Sequence, residues 1–94
     1  MQAEHFEPSD RATGTSYRGR MDANYHDLVE VFGEPHRFGG DKTLAEWCFE
    51  FEDGVVFTIY DWKNYGGQLE LITDWHIGGH NGLVVDRVET FIKK

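Results

Sequence analysis

An α+β fold is predicted: a three-stranded antiparallel β-meander with two helices packed on one face, in the order αβββα. Two stretches carry apolar residues at helical spacing. Between them lies a dense aromatic hairpin with period-two alternation, and a further apolar run from Leu69 to Ile77 follows it.

Residues 1–20 are polar and aperiodic, with Pro8, Ser9, Gly14, Ser16 and Gly19 scattered through them. This composition reads as a flexible N-terminal tail preceding a single domain over residues 21–94. Phe6 and Tyr17 are the side chains able to dock it on the domain or on a neighbouring subunit.

The first helix is expected at about residues 23–32. Tyr25, Leu28, Val29 and Phe32 recur at i, i+3, i+4 and i+7 and so share a face. Asp22 or Asn24 suits the N-cap, Asp27 the first turn, and Gly33 with Pro35 ends the helix. His26 is placed towards solvent. A connector from His36 to Lys42 contains the turn Gly39-Gly40-Asp41.

The hairpin runs from Glu46 to Lys63, and its register is decided by its pattern. A two-residue turn at Asp53-Gly54 would pair Glu50 with Phe57 and mix charge with apolar groups on both faces. A three-residue turn, with Gly54 left-handed as a bulge, pairs Phe51 with Val55, Phe49 with Phe57 and Trp47 with Ile59. The second choice yields one apolar face and is preferred. The opposite face then carries Glu46, Cys48, Glu50, Thr58, Tyr60 and Trp62, two large aromatics among carboxylates. Such a surface suits a subunit, a partner or a ligand, although exposed aromatics also stabilise cross-strand pairs with no further role.

After a loop at Lys63-Asn64-Tyr65-Gly66-Gly67, a third strand is expected over about 68–77, with Leu69, Leu71, Thr73, Trp75 and Ile77 on one side. A short Gly-rich turn leads to the last helix at about 82–93. There Val84, Val85, Val88, Phe91 and Ile92 form one stripe, and Lys93-Lys94 suits the C-terminal dipole. The uncovered sheet face and the strand edges favour a homo-oligomer.

The 94 residues carry a formal net charge of −8, from 17 acidic and 9 basic side chains. Residues 1–20 balance to zero, so the excess lies beyond them. An acidic chain without a basic stripe is a poor direct binder of nucleic acid. The charge maintains solubility, or meets a basic partner as an inhibitor imitating nucleic acid would. The single cysteine, Cys48, precludes an internal disulfide and fits a reducing cytosol. No signal-peptide core or membrane-spanning run is present, and a cytoplasmic protein with no membrane partner is expected.

The strongest local signal for chemistry is Trp75-His76-Ile77-Gly78-Gly79-His80-Asn81-Gly82, a strand, a glycine turn and a helix start. Unpaired N–H groups at such a junction favour an anion, and glycines permit close approach. Tyr60, Trp62 and Trp75 would stack on a nucleotide-like ligand, with Lys63, His76, Gly78, Gly79, His80 and Asn81 at its anionic part. The bland alternative is a tight connection with Asn81 as an ordinary N-cap. Other chemistry is weaker. His76 and His80 lack a third metal ligand beyond Asp74, Cys48 has no evident base, and Glu46 and Glu50 have no visible cleft. No catalytic residue, metal or cofactor is assigned, and an enzyme is not expected.

Glu46-Trp47, Phe51-Glu52-Asp53-Gly54, Thr58-Ile59-Tyr60-Asp61-Trp62-Lys63 and Trp75-His76-Ile77-Gly78-Gly79 resemble a family of small proteins encoded by tailed bacteriophages. Leu28-Val29-Glu30-Val31-Phe32-Gly33-Glu34-Pro35 belongs to the same pattern, and the likeness spans about residues 25–92. The resemblance implies an α+β fold and a phage context rather than an activity. By analogy with other small phage proteins, it points to a non-enzymatic anti-defence protein in the cytoplasm of an infected bacterium. The expected ligand is small, anionic and nucleotide-like. The alternative is an acidic inhibitor docking on a host defence protein through Glu46, Glu50, Tyr60 and Trp62.

Overall fold

Two tryptophans organise the molecule. In the computed structural model, which describes residues 6–9, 14–38, 44–62 and 68–92, the rings of Trp47 and Trp75 meet edge to face at 5.5 Å in the core. Each is buried, and each spends its indole N–H on the backbone flanking one helix. Trp47 Nε1 donates to the Gly33 carbonyl at 2.9 Å and Trp75 Nε1 to the Ala23 carbonyl at 3.1 Å. The first helix, α1 (Tyr25–Phe32), is thereby pinned to the sheet just beyond both ends.

The chain forms β1 (Phe6–Pro8), β2 (Ser16–Asp22), α1, β3 (Arg37–Phe38), β4 (Ala45–Phe51), β5 (Val56–Tyr60), a 3₁₀ turn (Leu69–Leu71), β6 (Asp74–Gly79) and α2 (Leu83–Ile92). The fold is α+β, but the sheet is wider than the expected meander. Its order is β1-β4-β5-β6-β2, antiparallel throughout, and the two-residue β3 shares an edge of β4 with β1.

The hairpin register follows the three-residue turn. Trp47 stands opposite Ile59 and Phe49 opposite Phe57. Phe51 N–H donates to the Val55 carbonyl at 2.8 Å, and Gly54 takes φ +87°, a conformation that disfavours side chains. Burial alternates strictly along β4, with Ala45, Trp47, Phe49 and Phe51 inside. Helix α1 starts where Asn24 Oδ1 accepts the Asp27 N–H at 2.8 Å and stops at Gly33, φ +83°. Leu28 and Phe32 of α1 and Val84 and Val88 of α2 meet the same sheet face and complete the core.

Two expectations are corrected. The polar stretch read as a flexible tail contributes two strands. Phe6 of β1 pairs opposite Phe51, and its ring lies 4.9–6.2 Å from those of Phe32, Phe49, Phe51, Phe57 and Phe91. One large ring thus compensates for a three-residue strand. In β2, Met21 is buried and Gly19 lets α2 approach so closely that a Cβ would stand 2.9 Å from Val85 Cγ2. The third central strand is also displaced. Residues 69–71 form the 3₁₀ turn, with Leu71 exposed, and β6 begins at Asp74 and runs through both glycines.

Candidate functional site

On the face turned away from the helices, cross-strand partners line up over four adjacent strands. Glu46 stands opposite Tyr60, Tyr60 opposite His76, and His76 opposite Arg20. In the next row Cys48, Thr58, Gly78 and Tyr17 follow in the same way. Asp61 continues β5 inward: its buried carboxylate accepts the N–H groups of Leu44 at 2.7 Å and Ala45 at 3.0 Å. That anchor holds the end of β5 against the start of β4 and turns Trp62 outward, where it is 43% exposed.

His76 is the centre of an aromatic group. The ring of Tyr17 lies 4.7 Å away and that of Tyr60 5.5 Å away, while Trp62 stacks on it at 6.2 Å and 22°. Gly78 makes the packing possible, because a Cβ there would collide with the Thr58 hydroxyl and stand 3.5 Å from the Tyr60 ring. Burial lowers the His76 pKa and raises that of Tyr60. The imidazole is therefore neutral at pH 7. At the border of the group Arg20 donates two bonds to Asp74, Nε to Oδ1 at 3.0 Å and Nη2 to Oδ2 at 2.7 Å. Glu7 and Glu50 face each other across β1 and β4.

The residues expected to bind an anion are divided. Tyr60, Trp62 and His76 come together. Trp75 does not join them: it is wholly buried on the helix-covered face and offers no stacking surface. Gly78 and Gly79 are buried strand residues rather than a turn that cradles phosphate. A Cβ on Gly79 would stand 2.8 Å from Val84 Cγ1, so this glycine seats α2. Asn81 is a helix cap, its Oδ1 accepting the Leu83 N–H at 2.9 Å. Arg18 donates to the Gly79 and His80 carbonyls at 3.0 and 2.8 Å. His80 and Asn81 are exposed but follow the end of β6 at Gly79, four and five residues beyond His76, and neither joins the rings of Tyr60, Trp62 and His76. Lys63 lies outside the described residues.

The interface residues hold together better. Glu46, Glu50 and Tyr60 share the outer face by register, and Trp62 joins Tyr60 there at 6.3 Å. Sequence reasoning missed Tyr17 and Arg20 as members. They are three apart, a spacing that puts residues on opposite faces of a regular strand, and a β-bulge between Tyr17 and Gly19 brings them to the same side. Alternation alone cannot reveal such a pair.

Among the described residues no three His, Cys, Asp or Glu side chains gather as metal ligands, and no helix is long and apolar enough to cross a membrane. His36 meets Cys48 by accepting its backbone N–H on Nδ1 at 3.1 Å. No family model matches the chain, and no curated protein or solved structure matches it.

Proposed function

We propose that this chain is a non-enzymatic binding protein that docks on a basic protein partner through the outer face of its sheet. The observation that carries the reading is the row Glu46–Tyr60–His76, with Trp62 beside it and Glu50 two rows further along β4 on the same face. Aromatic side chains supply rigid contact area, and carboxylates at the rim steer a partner of opposite charge. The net charge of −8 acts in the same direction at longer range. The resemblance to phage proteins suggests the context, a host defence protein in the cytoplasm of an infected bacterium.

The second reading, a small nucleotide-like ligand, keeps one supporting observation: a cleft of about 340 Å³ opens beside Trp62 and His76. Its lining includes Asp74 and no cation among the described residues, which disfavours a phosphate. A thermal-shift screen with nucleotides tests it, because a ligand at 100 times its Kd adds ~2.7 kcal/mol.

The docking reading is tested by Trp62→Ala. A folded Trp62→Ala protein is expected to bind a captured partner at least tenfold more weakly, as truncation of a central aromatic anchor costs about 2 kcal/mol or more. Undiminished binding by that variant would overturn the reading.

A further inference from the structure

We infer that the cleft between Trp62 and Asp74 receives an arginine side chain of the protein partner, its guanidinium laid on the indole and paired with the carboxylate. The inference rests on the docking reading and deepens it by naming the group recognised.

The cleft, about 340 Å³, lies at the small end of ligand-sized pockets, suited to one long side chain. Trp62 and His76 form one wall as near-parallel rings, 22° apart, so a third planar group extends an existing stack. Planarity separates arginine from lysine, whose ammonium is a compact, strongly hydrated charge. Asp74 provides the counter-charge and stands on the rim with its side chain half exposed. It already accepts a guanidinium fork from Arg20, which shows the geometry it offers. A carboxylate has about four lone-pair positions, and Arg20 takes one on each oxygen. Asp22 stands opposite Asp74 across β2 and β6, so among the described residues two carboxylates stand beside Arg20 at this corner. The His76 imidazole, kept neutral by burial, adds a ring without adding a repelling charge. Gln68 and Thr73 supply further polar atoms along the walls.

The test uses the full chain, ¹⁵N-labelled, and three probe peptides of alternating glycine with arginine, lysine or citrulline. Trp47 and Trp75 are buried, so the Trp62 indole N–H resonance, assigned with Trp62→Phe, reports on the cleft. The arginine peptide is expected to move this resonance and to bind at least tenfold more tightly than the lysine peptide. The citrulline peptide, which has the shape without the charge, is expected to leave it in place. Asp74→Asn should weaken the arginine peptide at least fivefold while the rest of the spectrum stays folded.

Equal binding of arginine and lysine peptides would overturn the inference in favour of bulk electrostatics. So would an unmoved Trp62 resonance, or one moved by AMP and not by arginine. Either result, together with a Trp62→Ala protein that still fails to bind its partner, removes the arginine anchor and leaves the docking face standing. Arginine selectivity with no effect of Trp62→Ala on partner binding would leave the cleft able to take arginine but overturn both its use by the partner and the docking reading.

Discussion

His36 joins two pieces of edge strand. β3 covers the start of β4 and β1 its end, and Cys48 lies between the two stretches they pair with, where its N–H meets His36. The imidazole Nδ1 accepts that N–H at 3.1 Å, which requires the neutral ring. Burial holds the His36 pKa below its ordinary value of 6.5. The folded state therefore binds this proton less readily than the unfolded chain. Its contribution is complete above about pH 6.5 and is lost as pH falls through the lower folded value. His76 acts with the same sign. Urea unfolding between pH 7.5 and 5 should show stability declining with acid, and His36→Gln, whose amide oxygen also accepts, should reduce the slope. An unchanged slope would remove His36 from the account. The glycines of β6 have their own consequence. Gly79→Ala should destabilise the fold by about 1–3 kcal/mol, because Val84 is buried and must move. Thermal unfolding checks this, and a neutral result would mean that α2 shifts without cost.

Elements were legible where pattern and turn chemistry agreed. The β4–β5 register followed from one comparison of two turns, since only one left an apolar face. Helix α1 followed from its stripe, Asn24 and Gly33. The stretch 68–77 was misread because Leu69 and Leu71 look alternating, yet Ile72 rather than Leu71 is buried. β1 and β2 were hidden for different reasons. β1 has three residues and owes its place to Phe6, and β2 carries a bulge and a half-buried glycine, Gly19, against α2. Phe6→Ala should cost about 2 kcal/mol or more, since its ring touches five other phenylalanine rings. Equilibrium denaturation reads the loss, and a change under 0.5 kcal/mol, about the scale of an ordinary surface substitution, would make β1 incidental to the fold. The candidate site was half legible. Period two placed Glu46, Glu50, Tyr60 and Trp62 on one surface. The glycine junction misled because glycines that admit a phosphate and glycines that admit a helix or a tyrosine ring have the same sequence appearance.

At the scale of the molecule, the helices cover one face of the sheet and leave the aromatic and acidic residues on the other. The edges discourage strand addition: β2 carries Arg18, Arg20 and a bulge, and the opposite edge is divided between two short strands. On the docking reading, recognition uses the outer face rather than an edge. The most direct measurement compares partner binding by two charge-matched double variants, both verified as folded. One is Glu46→Lys with Glu50→Lys on the outer face, and the other is Glu30→Lys with Glu34→Lys at exposed positions on and just beyond α1. Both change net charge by the same amount, so long-range attraction falls equally. The docking account predicts that the outer-face pair lowers affinity at least tenfold more than the α1 pair. Equal losses, or no loss from the outer-face pair, would contradict it.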